Sequence, residues 1–116
     1  MNITQILNAD VEEIFQWYSD NYIKNIPMAT DYDLISEDLG DKLSEYCNNF
    51  VYFDYILSIL EAKVRISKAE KSDDAKILLM KRDIFAHFAE EQKFYYNALS
   101  RMCTIKIESN KQLNMY

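Results

Sequence analysis

The stretch LGDKLSEYCNNFVYFDYILSILEAKV, residues 39–64, decides the fold. Within it Leu39, Leu43, Tyr46, Phe50, Phe53, Leu57, Leu60 and Val64 follow one another at spacings of 4, 3, 4, 3, 4, 3 and 4. A 3.5-residue apolar period keeps one helical stripe turned toward a neighbouring helix, so the spacing predicts a long helix packed along a left-handed seam. A second stripe, Tyr52, Ile56, Ile59 and Ile66, flanks the first. The middle of this helix is therefore apolar on two sides and is expected to contact more than one element, with self-association as one way of covering it.

The same register resumes at Leu78, Phe85, Phe88, Tyr95, Leu99 and Met102, with Lys81 and Gln92 as polar exceptions inside it. Between the two segments the seam positions are Ser67, Lys71 and Asp74. Ser72 can cap a new helix there, with Asp73 and Asp74 in a first turn where the helix dipole favours anions. The favoured reading is an antiparallel hairpin; one continuous helix in an intermolecular coiled coil is the alternative. Residues 103–109, CTIKIES, are β-branched and alternate, and are read as frayed helix rather than a short strand.

Working outward, an N-terminal helix is expected within residues 1–23. Asp10 caps it, Glu13 stands three positions on, and Val11, Ile14, Phe15, Tyr18 and Tyr22 mark its buried face. Asn25-Ile26-Pro27 ends that helix, because proline disfavours helical geometry in the residue before it. The whole chain is thus read as a single all-α domain over 1–116, with a loop at 24–35 and long helices at 36–70 and 73–112. One glycine and one proline in 116 residues agree, since strand-and-turn folds need more of both.

Composition bounds the function. Hydrophobic residues supply 49% of the chain and charged residues 28%, which is globular rather than disordered usage. No apolar run approaches the roughly eighteen residues of a membrane span, and MNITQILNAD lacks the basic start and apolar core of a secretory signal. A cytoplasmic protein without membrane contact is expected, with Cys47 and Cys103 as reduced core thiols. The net charge of −6 conceals an asymmetry. Residues 1–60 hold eleven acids against two cations, and residues 61–116 hold eleven cations against eight acids.

Three surfaces are candidates for partner binding. The basic cluster Lys63, Arg65, Lys68, Lys71, Lys76, Lys81 and Arg82 gathers at one end of a hairpin and offers contacts to phosphates. The acidic set Asp31, Asp33, Glu37, Asp38, Asp41 and Glu45 offers a surface that imitates nucleic acid, as in an inhibitor that blocks the basic groove of a host defence protein. Tyr52, Tyr55, Tyr95 and Tyr96 offer aromatic faces to a protein or to bases.

Catalytic signals are weak by comparison. His87 and Glu90 form a single His-x-x-Glu, whereas carboxylate-bridged metal sites in bundles use Glu-x-x-His twice with further glutamates. Asp38-x-x-Asp41 and Glu70-x-x-Asp73 resemble the paired carboxylates of all-α nucleotide pyrophosphatases, which hold magnesium. The first pair departs from that family's glutamates, and the second falls at the elbow rather than within a rigid helix. A chain with no enzymatic activity and no cofactor is expected.

Leu57-Ser-Ile-Leu-Glu-Ala-Lys-Val-Arg, Lys81-Arg82-Asp83 and Ser100-Arg101-Met102-Cys103-Thr104-Ile105-Lys106 resemble stretches of small helical proteins of tailed phages. Among these the chain is similar to the recombination mediators, which load a recombinase onto single-stranded DNA. The resemblance spans about half the chain. It implies a helical accessory protein in the host-cell cytoplasm that contacts single-stranded nucleic acid. The chain is more acidic than those mediators and lacks their glycine-containing connector. The reading that asks least of the residues is a non-enzymatic helical interaction protein binding a protein partner or a second copy of itself.

Overall fold

Two long helices lie antiparallel, and two short ones cover one side of them. A computed structural model describes the backbone of residues 1–22 and 36–114, and the side chains of 1–22, 40–102 and 104. The elements are α1 (Ile3–Asn8), α2 (Val11–Tyr22), α3 (Ser36–Ala69) and α4 (Ala75–Asn114). The described residues contain no strand, and 103–109 lie within α4. The proposed loop at 24–35 lies outside the described residues.

The N-terminal helix divides in two because two capping sites compete for it. Asn2 Oδ1 accepts from the Gln5 amide while Gln5 Oε1 accepts from the Asn2 amide, a reciprocal box that starts α1. Ala9 is extended, and the Asp10 carboxylate then accepts from the Glu13 amide at 2.8 Å to start α2 as the sequence suggests.

The hairpin is shown by its turn and by its register, which rules out the continuous helix. At the end of α3 the Lys71 amide bonds the Lys68 carbonyl and the Ser72 amide bonds the Ser67 carbonyl, with Lys71 at φ 54°. This is a Schellman stop in which lysine takes the left-handed position that glycine usually holds. Helix α4 starts at Ala75, two residues later than the sequence suggests. Ser72 does not cap it; its Oγ accepts from the Asp74 amide in a local turn. Facing pairs are Tyr46–Tyr95, Asn49–Gln92 and Phe53–Phe88, whose residue numbers each add to 141. That register places the reversal at residues 70 and 71, where the left-handed lysine stands.

On α4 the seam follows the sequence closely. Phe85, Phe88 and Leu99 are fully buried, Tyr95 is buried, and the two polar exceptions Lys81 and Gln92 are buried with them. On α3 the seam is rotated. Tyr46, Phe53, Leu60 and Val64 are buried as expected, but Phe50 and Leu57 are only half-buried while Ile56 is fully buried. Asn49 faces the partner helix in place of Phe50, because Gln92 opposite supplies its hydrogen bond. The rotation turns Ile56 and Tyr52 toward α1 and α2, which join Phe53, Leu60, Phe85 and Phe88 in the main core through Ile6, Ile14 and Tyr18. The two-sided apolar region of α3 is thus covered largely within one chain.

Candidate functional site

Two polar arrangements are built into this apolar frame. The first crosses the middle of the hairpin. Asn49 Nδ2 donates to Gln92 Oε1 at 3.0 Å, and Gln92 Nε2 donates to the Tyr18 hydroxyl at 3.0 Å. Tyr95 donates to Glu91 Oε1 at 2.7 Å, and His87 Nε2 stands 3.6 Å from Glu91 Oε2. Gln92 is fully buried, so every bond it makes specifies which residues face one another. Tyr18 itself stacks flat on Phe88, with ring centroids 3.8 Å apart. A polar group at a seam position fixes register, because any slip leaves it without a partner.

Burial pushes the Tyr18 phenol well above its usual value of 10.0, and nearby Glu91 adds to the effect while the Gln92 bond opposes it. Tyr95 is raised by burial and by Glu91, and Tyr22 and Tyr52 are raised mainly by burial. These four groups hold their protons longer when folded than when unfolded. Their contribution is complete below pH 10 and is lost as pH rises through the folded values. Lys81 is shifted down by burial and works in the opposite sense, as a single group. Chemical unfolding at pH 8 and pH 11 is expected to show a marked loss of stability at the higher value, with a smaller loss in Tyr18→Phe. An equal loss in that variant would exclude Tyr18 as a source.

The second arrangement lies at the elbow. Lys81, counted with the basic cluster by its sequence position, is 3% exposed and takes no part in a surface patch. Its Nζ donates to the Ile6 carbonyl at 2.9 Å and the Leu7 carbonyl at 3.0 Å. Both carbonyls belong to the last turn of α1, which lacks intrahelical donors for them. Arg82 is engaged by Asp83 through Nε and Nη2, at 3.1 and 2.9 Å. Lys63, Arg65, Lys68, Lys71 and Lys76 are exposed and gather at the elbow end. At helical spacing Lys63, Arg65 and Lys68 splay around α3 rather than forming one stripe. Exposed Glu70, Asp73 and Asp74 stand among them.

The other candidates divide similarly. Asp31 and Asp33 lie outside the described residues, as do the side chains of Glu37 and Asp38; Asp41 and Glu45 are exposed on α3. Of the four tyrosines, Tyr55 and Tyr96 are exposed, while Tyr95 is buried. Tyr52 is half-buried, and its hydroxyl donates to the Met1 carbonyl. Cys47 is exposed rather than a core thiol, because the rotation of α3 carries it away from the seam. Among the described residues no three His, Cys, Asp or Glu side chains cluster, and no helix is long and apolar enough to cross a membrane. The reading from sequence missed Phe94, the most exposed large hydrophobic side chain described, at 67%. Its place one residue before Tyr95, off the α4 seam, was the available signal.

Comparison with protein-family models, with curated proteins and with solved structures finds no match to this chain.

Proposed function

We propose that this is a non-enzymatic helical interaction protein whose partner is a second copy of the same chain, meeting it along the half of the hairpin away from the elbow. The carrying observation is the thinness of the core there. Among the described residues, Tyr46, Tyr95 and Leu99, with Leu43 and Met102 beside them, form a separate cluster drawn from α3 and α4. The cluster is small although Tyr46 and Leu99 are fully buried in the single chain, and four-helix packing is a common way to extend such a core.

The surface composition supports a self-complementary contact. Phe94 and Tyr96 are exposed on opposite flanks of α4 in this half, and Leu43 and Tyr96 line a shallow cleft with Cys47. Asp41 and Glu45 are exposed on α3, and Lys93 and Arg101 on α4. A two-fold pairing can set acidic residues of α3 in one copy against basic residues of α4 in the other. Aromatic centres with charged rims are typical of selective interfaces.

Light scattering at micromolar concentration is expected to report twice the chain mass of 13.8 kDa. Phe94→Glu places a charge at the contact, at a site 67% exposed whose ring meets only that of Tyr95 among the described rings, and is expected to return the protein to a monomer of unchanged helicity. A monomeric parent chain, or a variant that remains dimeric, would remove this reading.

A further inference from the structure

We infer that the cleft beside the elbow, between the end of α1 and the two long helices, is a binding site for a small aliphatic monocarboxylate. The cleft has a volume of about 370 Å³, within the range of small-molecule sites. Its surface includes Ser67 and Lys81, two polar side chains that are 6% and 3% exposed. The Ser67 hydroxyl is buried and makes no hydrogen bond. A buried hydroxyl without a partner is destabilising, and native structures satisfy nearly all such groups. Lys81 has three N–H donors, of which the Ile6 and Leu7 carbonyls take two.

Backbone direction brings these two groups toward one another. Helical side chains lean toward the N-terminus of their own helix. Ser67 therefore leans away from the elbow and Lys81 leans toward it, from the two facing helices of the hairpin. A hydroxyl can accept as well as donate, but Ser67 and Lys81 share no hydrogen bond; one group that takes a hydrogen from each is an acceptor, and an anionic acceptor is held most strongly.

The remaining lining narrows the class. Leu7, Ile66 and Ile77 give apolar wall, and Ile66 and Ile77 are exposed to an unusual degree for large aliphatic residues. Lys63 at the rim and the buried Lys81 are offset by Glu70 and Asp74, so the formal charges of the lining cancel. A dianion such as phosphate gains little from a neutral site, whereas one carboxylate meets the two inner donors and leaves the acids undisturbed. In the bound state the carboxylate accepts from Ser67 Oγ and from the third Lys81 N–H, and a branched aliphatic body covers Ile66 and Ile77. Because Lys81 also holds α1, the ligand ties the N-terminal segment to the hairpin. This inference is independent of self-association, which involves the other half of the molecule.

The probe is 4-methylpentanoate, titrated into the full chain and followed by amide shifts in NMR. Saturable shifts are expected at Ser67, Lys63 and Lys81. Ser67→Ala is expected to weaken binding by about fivefold or more, the loss of one hydrogen bond to a charged group. In the free protein the same variant is expected to raise the melting temperature, since it removes an unpaired buried hydroxyl. 3-Methylbutylamine, with a cationic head on a similar body, is expected to give no saturable shift. Absence of saturation by the carboxylate, an equal response to the amine, or unchanged affinity in Ser67→Ala would overturn the proposal. A lower melting temperature in free Ser67→Ala would overturn it too, by showing that the hydroxyl is already partnered.

Discussion

Phe53→Ala is expected to destabilise the folded chain by about 3–5 kcal/mol, the range for truncating a fully buried aromatic residue. Phe53 is 0% exposed, and its ring meets Trp17, Tyr18, Tyr22, Phe85 and Phe88. It is therefore the point where α2, α3 and α4 converge. Removing the ring leaves a cavity that three helices would have to close together, and the register bond between Asn49 and Gln92 resists that movement. Small domains have net stabilities of about 5–15 kcal/mol, so a loss of this size is a large part of the whole. Urea unfolding followed by circular dichroism measures it. A loss below about 1 kcal/mol would show that the centre of the core lies elsewhere. Phe94→Ala, at an exposed site, is the control expected to leave monomer stability nearly unchanged.

Lys81→Met is the second large effect, expected to cost about 2–4 kcal/mol. Methionine replaces most of the buried stem but not the ammonium, which makes two hydrogen bonds to carbonyl oxygens. Bonds of that charged type contribute about 1.5–3 kcal/mol each, and the saved desolvation of the ammonium offsets part of their loss. The Ile6 and Leu7 carbonyls would be left without their donor at the end of a six-residue helix. A helix that short has no stability of its own, so α1 should detach before the hairpin unfolds. Hydrogen exchange reads the two events separately. Faster exchange at the Ile6 and Ala9 amides, with slow exchange retained at Phe88, is expected. Uniformly unchanged exchange would mean that the ammonium does not hold α1.

The α4 seam was legible almost to the residue, because a 3–4 spacing fixes which positions turn inward whether or not each is apolar. Lys81 and Gln92 were placed inside the seam by that spacing alone. Nothing in the spacing said what would satisfy them, since their partners come from α1, α2 and α3. Counting Lys81 with the surface cations was the resulting error: charge is read from sequence as exposure unless a distant acceptor is known.

Helix α3 was misread by one position for a related reason. Tyr52, Phe53, Ile56, Leu57, Ile59 and Leu60 are all apolar, so several stripes fit the same stretch. A reading that selects only apolar residues chooses Phe50 over Asn49, although a polar residue faces Gln92. The short α1 carried a local signal in Asn2-x-x-Gln5, but its placement depends on the lysine 75 positions away. The elbow carried no glycine, and its left-handed lysine is invisible to a reading that looks for one. The Ser67 cleft was equally hidden, because it forms only when α1, α3 and α4 meet.

A distance measurement between identical positions tests the central claim, that a second copy completes the half of the hairpin away from the elbow. Asn97 is exposed on α4 within that half, and its helical position faces away from the seam. A single spin label at Asn97→Cys, in a Cys47→Ser and Cys103→Ser background, gives one label per chain. Any dipolar coupling in pulsed electron resonance must then arise between chains. The account predicts a single, resolved inter-label distance that disappears in Phe94→Glu. The absence of dipolar modulation in the labelled parent chain would contradict it.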